Sequence, residues 1–125
     1  MTFYHFCAAH MVSDVMQCGL TLGAYPLIGG SELQFIPKCQ WLTAEPDPDK
    51  QSWATSRLIA YSRTAYRLTV KIPDSYKKKI VRAAGFVKEL PVEHQGIVTD
   101  WDGSDKWYIF KGNIPPKWIV GCRKM

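Results

Sequence analysis

The run TAYRLTVKIP, residues 64–73, constrains the fold of this chain more than any other stretch. Its apolar side chains alternate with polar ones, and they are Tyr66, Leu68, Val70 and Ile72. Successive side chains of a β-strand point to opposite faces, so this period of two predicts a strand with one buried face and one wet face. We therefore expect the fold to be built on a sheet.

The first twenty residues predict a strand followed by a helix. TFYHFC, residues 2–7, is a short aromatic-rich run that is typical of a strand. From residue 8 the apolar spacing becomes helical, which indicates an amphipathic helix; the residues at that spacing are Ala8, Val12, Val15 and Met16. Gly19 followed by Leu20 is typical of a helix end, where glycine takes the left-handed conformation and the next apolar residue packs back.

The rest of the chain predicts short elements separated by turns. Further strands are expected near residues 33–36, 40–43, 106–112 and 118–122. Short helices are expected within residues 51–58 and 74–83, and residues 85–106 are expected to be loop-rich, with one or two short strands. The predicted fold is a single strand-rich α+β domain over residues 1–125 with an N-terminal helix.

Composition restricts the class of protein. At 125 residues and 46% hydrophobic content, the chain can bury one core. The net charge of +5 permits contact with a polyanion but does not require it. No run approaches the roughly 18 apolar residues that span a bilayer, and no secretory signal is visible. We expect a cytoplasmic protein with no membrane partner.

The cysteines and histidines do not predict a metal site. The four cysteines, Cys7, Cys18, Cys39 and Cys122, lack CxxC spacing, so we expect reduced thiols. His5, Cys7 and His10 could be zinc ligands, but no second pair completes a four-ligand set. A catalytic pair of Cys7 or Cys39 with His94 can be written, but nothing in the sequence brings these residues together. The phosphate-binding motifs GxxxxGK[ST] and GxGxxG are absent.

The order of the motifs along the chain does carry a resemblance. "YHF" in the first strand is followed by a helix, "GL", a glycine-rich stretch, "WLT", "YRLTVKIP", "WYIFKG" and "NIPPKWI". This order resembles the ADP-ribosyltransferase fold. It is most similar to its small members, the RNA 2′-phosphotransferases, the DNA-targeting toxins and phage-borne relatives. The resemblance covers nearly the whole chain as a pattern of elements.

The resemblance implies an NAD site that acts on a macromolecular target. His5 would hold the ribose and the nicotinamide amide, and Thr43 would reach the ribose. Tyrosines would stack on the ring and arginines would meet the pyrophosphate; the candidates are Tyr61, Tyr66, Arg63 and Arg67. An NAD site needs such hydrogen bonds and aromatic contacts.

One position departs from the family pattern. Transferase members place a glutamate on the last catalytic strand, and here that position falls at Lys106 or Trp107. Asp100, Asp102 and Asp105 lie nearby, in what we expect to be the preceding loop, and Asp102 is the candidate for a catalytic role beside His5. The resemblance therefore implies nucleotide binding, while the missing glutamate weighs against ADP-ribosyl transfer. Phosphotransferase-type members depend on other basic residues, so that activity stays open.

Alternatives stay open at this point. His5 can equally be a histidine satisfied within the core. The chain can be a non-enzymatic phage-type inhibitor that binds a host defence protein, such as a CRISPR component, in the host cytoplasm. A nucleic-acid binder would use exposed aromatic residues beside lysines. We expect a protein target rather than nucleic acid.

Overall fold

The structure, a computed structural model, describes residues 1–27, 34–47, 64–90 and 104–125. Two α-helices are present in these residues, α1 (Val12–Cys18) and α2 (Ala83–Lys88). The strands are β1 (Thr2–Cys7), β2 (Ala24–Leu27), β3 (Gln34–Pro37), β4 (Cys39–Thr43), β5 (Tyr66–Lys71), β6 (Ile80–Arg82), β7 (Trp107–Lys111) and β8 (Ile119–Lys124). The predicted α+β class and the N-terminal helix are confirmed.

Six of these strands form one sheet in the order β6-β7-β4-β1-β5-β8, and each neighbouring pair is antiparallel. β2 and β3 form a separate antiparallel hairpin. No helix among the described residues is long and apolar enough to cross a membrane.

Helices cover the two faces of the sheet, which we call the α1 face and the α2 face. In β5, Leu68 and Val70 are fully buried and point to the α1 face, as the alternating pattern predicts. The α1-face core also includes Phe3, Val15, Leu42, Phe110, Ile114 and Trp118. The α2-face core contains Tyr25, Cys39, Ala83, Phe86, Val87, Trp107 and Ile109. A sheet buried on both faces explains why Cys39–Thr43 is almost continuously buried.

Helix α1 ends where the sequence predicts. The N–H of Gly19 donates to the carbonyl of Val15 at 2.8 Å, and Gly19 has φ +81°. Leu20 then pairs with Ile114 through two backbone hydrogen bonds of 2.9 Å. A side chain at Gly19 would collide with the Ile114 carbonyl, so this glycine permits both the turn and the close contact.

Four predicted segments differ from the structure. The helix predicted from residue 8 begins as a 3-10 helix, Ala9–Met11, and α1 starts only at Val12. Residues 74–83 are a 3-10 helix, Asp74–Lys79, followed by β6, because the lysines offer no apolar face while Ile80 and Val81 suit pairing with β7. Within the segment expected to be loop-rich, α2 buries Phe86 and Val87 against the sheet. The hairpin strand β2 falls in a segment expected to be turns. The predicted helix at 51–58 lies outside the described residues.

Candidate functional site

His5 lies on β1 and faces α1, beside Leu68 of β5. Its Nδ1 is 2.7 Å from the backbone oxygen of Trp41. A carbonyl oxygen can only accept, so Nδ1 carries the proton and Nε2 is the basic nitrogen of the neutral ring. Burial lowers the pKa of His5 below its ordinary value of 6.5, and the hydrogen bond to Trp41 offsets this in part. His5 is therefore a neutral imidazole that joins two central strands.

This hydrogen bond complements the backbone pairing. β1 and β4 pair at Tyr4 and Thr43, and the imidazole of His5 supplies a further bond from β1 to β4. His5 therefore has a structural role, since its side chain links β1 to β4. The predicted role in holding NAD stays a prediction.

Thr43 also has a local partner. Its hydroxyl oxygen accepts the N–H of Glu45 at 3.0 Å, which shapes the turn that leaves β4. The Glu45 carboxylate accepts a hydrogen bond from Lys106 at 2.8 Å. Glu45 raises the pKa of Lys106, chiefly through that hydrogen bond. Lys106, which with Trp107 is one of the two positions where the resemblance would place a glutamate, is thus charged and held by a carboxylate.

The remaining predicted residues divide between the two faces. Tyr66 packs against the α1-face core, on the side of His5. Arg67 points to the α2 face with Thr43; its Nη1 donates to the carbonyl of Pro46 at 3.0 Å, and its guanidinium lies 5.3 Å from the Tyr4 ring centroid. The sheet therefore separates His5 and Tyr66 from Thr43 and Arg67. Tyr61, Arg63 and Asp102 lie outside the described residues.

A cleft opens elsewhere on the α2 face, between the β3–β4 turn, the end of α2 and the end of β7. Its volume is ≈ 490 Å³, within the range of about 300–1,000 Å³ that small-molecule sites occupy. Apolar side chains form much of its lining, including Ile36, Phe86 and Leu90. Phe86 belongs to the α2-face core, so the floor of the cleft is part of the folded core.

Two lysines line this cleft, one in the turn between β3 and β4 and one at the end of β7. Lys111 ends β7 directly opposite Cys39 of β4, and its ammonium lies 5.6 Å from the Phe86 ring centroid. Lys38 precedes β4 with φ +56°, a left-handed conformation that costs a residue with a side chain about 1–2 kcal/mol. The Lys38 carbonyl accepts the N–H of Gly112 at 2.8 Å, which fixes the turn against the end of β7.

The charged groups in the cleft have no ion-pair partner within the described part of the chain. Lys38 and Lys111 form no ion pair there, and neither does Glu89 at the end of α2. Burial raises the pKa of the Cys39 thiol, and this outweighs the opposite effect of Lys111. Among the described residues the cleft thus presents two lysines and one carboxylate without ion-pair partners, beside a neutral thiol and an apolar floor.

Sequence reasoning did not identify this cleft. Its charged residues come from three separated segments, and each of them is one of many surface charges in the sequence. The local signal that could have marked the turn is Pro37 before Lys38 and Cys39, although its backbone conformation is visible only in the structure.

Groups of three or more histidine, cysteine, aspartate or glutamate side chains that could hold a metal ion are absent from residues 1–27, 34–47, 64–90 and 104–125. Comparison with known proteins adds no relative: the chain matches no protein-family model, no curated protein and no solved structure.

Proposed function

We propose that the protein binds a nucleotide in the cleft on the α2 face. The proposal rests on one observation, the pairing of an apolar floor with two lysines, Lys38 and Lys111, that form no ion pair with any described residue. It agrees with the class of ligand implied by the family resemblance, NAD or a related nucleotide, but it uses different residues.

The chemistry of the cleft fits the two parts of a nucleotide. The aliphatic and aromatic lining at Ile36, Phe86 and Leu90 suits the flat, weakly hydrated base. Ammonium groups suit a phosphate, and a hydrogen bond to a charged group contributes about 1.5–3 kcal/mol. The Glu89 carboxylate can accept hydrogen bonds from ribose hydroxyls or from an exocyclic amine.

Whole NAD is a less complete match than one nucleotide. The four described residues implied for NAD, namely His5, Thr43, Tyr66 and Arg67, lie on two faces of the sheet and do not line this cleft. The proposal therefore concerns the binding of a single nucleotide, such as one half of NAD, and it assigns no transfer reaction to the cleft.

Isothermal titration with ADP and with NAD⁺ tests the proposal. We expect saturable binding of ADP, and we expect Lys111→Gln to weaken it about tenfold or more, because one charge-assisted contact is lost. Lys124→Gln, at the far edge of the sheet on β8, is the matched control and should leave the affinity unchanged.

Heat release that does not saturate with either ligand would contradict nucleotide binding. Equal affinities in the wild-type chain and in Lys111→Gln would contradict the location of the site. Either result would turn attention to a protein partner, the alternative that the sequence leaves open.

A further inference from the structure

The edge of the sheet formed by β8 is uncovered among the described residues. β8 is the last strand in the order β6-β7-β4-β1-β5-β8, and β5 is the strand that pairs with it. Val120 is 54% exposed, and the residues from Cys122 to Met125 are exposed as well. A strand at the edge of a sheet presents unpaired N–H and C=O groups to which another extended chain can bond. β8 is therefore a place where this sheet can accept a further strand.

The hydrogen-bond pattern identifies which backbone groups of β8 face outward. The N–H of Met125 donates to the carbonyl of Ala65 at 2.9 Å, one residue beyond the end of the β5–β8 ladder. Inward and outward backbone groups alternate along an antiparallel strand. The backbone groups of Arg123 therefore also face β5, whereas those of Cys122 and Lys124 face away from it.

The other side of β5 gives the same alternation. Met1 and Ile72 exchange two backbone hydrogen bonds, of 2.9 and 3.1 Å, across the β1–β5 pair. Every second residue before Ile72 therefore also bonds to β1, which leaves the alternate residues of β5 for β8. Within the described ranges, no residue bonds to the outward backbone groups of Cys122 and Lys124.

The charge of this edge determines which strand suits it. Arg123 and Lys124 are exposed, project to opposite faces of β8 as neighbours in a strand, and form no ion pair with a described residue. Arg123 also lies directly opposite Arg67 of β5. Like charges at directly opposed positions destabilise a sheet, and opposite charges stabilise it. A strand with carboxylates beside Arg123 and Lys124 is therefore favoured, and one with cations there is repelled.

A second copy of the chain suits this edge less well than an acidic strand does. The sequence of β8 is IVGCRK, which contains no acidic residue. Two β8 strands side by side would bring cations and no carboxylate to one edge. Charged side chains on an edge strand are a common means of opposing such self-pairing.

We propose that β8 binds an extended acidic segment of a partner protein, which adds to the sheet as a further antiparallel strand. The antiparallel direction matches all neighbouring pairs of the sheet and fixes the order of the residues in the segment. Two successive acidic residues lie opposite Lys124 and Arg123, and a β-branched residue follows opposite Cys122. Backbone hydrogen bonds to β8 supply affinity, and the two carboxylates supply specificity.

Fluorescence anisotropy with a labelled peptide, Glu-Glu-Val-Thr-Val-Thr with blocked ends, tests the proposal in the presence of a reductant. We expect saturable binding, and replacing the second glutamate by lysine should weaken it about tenfold. Arg123→Glu should weaken binding of the original peptide to a similar extent and should recover part of the affinity for the lysine peptide. Lys88→Gln, an exposed lysine of α2, is the matched control and should change neither affinity, because α2 packs on β6 and β7.

N-methylated peptides distinguish strand addition from simple attraction between charges. Every second N–H of an added strand faces β8. Methylating the N–H groups of one alternate set should therefore abolish binding, and methylating the other set should leave the affinity within about threefold. Equal effects of the two methylation patterns would overturn strand addition, whatever the effect of Arg123→Glu on the folded protein.

The remaining outcomes also decide the proposal. Equal affinities for the acidic and the lysine peptide would overturn the acidic character of the partner. Sedimentation that shows a dimer at the concentrations of the titration, together with no binding of the peptide, would overturn the acidic segment in favour of a second copy. A monomer that does not bind the peptide would overturn the docking surface itself.

Discussion

His5→Ala gives the sharpest test of what the aromatic-flanked histidine does. In the structure its Nδ1–H donates to the Trp41 carbonyl at 2.7 Å and joins β1 to β4. Removing the donor leaves this partly buried carbonyl without that partner, which costs about 1–3 kcal/mol of unfolding free energy. For a domain of this size the loss corresponds to a fall of about 5–15 °C in the thermal midpoint. Nucleotide affinity should not change, because His5 does not line the cleft.

The same residue makes stability depend on pH. Burial holds the pKa of His5 below 6.5, its ordinary value and its approximate value in the unfolded chain. Below about pH 6.5 the unfolded chain therefore binds more protons than the folded one, and the free energy of unfolding falls as the pH is lowered. The slope from this one group cannot exceed about 1.4 kcal/mol per pH unit, and it levels off below the folded-state pKa.

Chemical denaturation between pH 5 and 7.5 separates the two contributions (the range brackets the ordinary histidine pKa of about 6.5). His5→Asn keeps an N–H donor near the Nδ1 position and cannot titrate there, so it should retain more stability than His5→Ala and lose the slope. His10→Asn, at an exposed histidine, is the control and should keep the slope. An unchanged midpoint in His5→Ala together with lost nucleotide affinity would refute this reasoning and favour the ligand role implied by the family resemblance.

Two further predictions concern backbone conformation, and thermal denaturation measures both. Gly19→Ala should lower the free energy of unfolding by at least about 2 kcal/mol, since Gly19 has φ +81° and its Cβ would meet the Ile114 carbonyl. Gly85 lies in α2, and an added Cβ there would meet open space, so Gly85→Ala should instead raise the free energy of unfolding by about 0.5–1 kcal/mol. An equal loss of stability in both variants would contradict the argument. Lys38→Gly should raise the free energy of unfolding by up to about 1 kcal/mol by relieving its positive φ, and it should weaken ADP binding about tenfold. A less stable Lys38→Gly would contradict strain at this turn.

The alternation of apolar and polar residues along the chain predicts much of the sheet. β5 is recognisable because one face of the strand is apolar and the other is polar, and Leu68 and Val70 on the apolar face are fully buried. Helix α1 was recognisable from apolar spacing and from Gly19, whose conformation is local. Such signals depend on near neighbours in sequence and need no knowledge of the tertiary fold.

The candidate site depends on contacts that no local pattern encodes. Lys38, Phe86 and Lys111 meet because a turn, a short helix and a strand end converge, and the spacing between them in sequence is arbitrary. Helix α2 was missed for a related reason: its six residues are too few to display a full apolar period, and its stability comes from packing against the sheet. Thr43 and Arg67 lie on the other face of the sheet from His5. This placement likewise follows from strand register, which a single sequence does not fix.

Because the sheet lies between His5 and the cleft, the two features can be tested independently. Substitutions that share no partners contribute additively to stability, within about 0.3–0.5 kcal/mol. The double variant His5→Asn with Lys111→Gln should therefore show the stability loss of the first change and the affinity loss of the second, each unaltered by the other. If the affinity of the double variant fell well below that of Lys111→Gln alone, a single ligand would have to contact both faces. That result would restore the arrangement implied by the resemblance, in which His5 and a cationic group hold one nucleotide together.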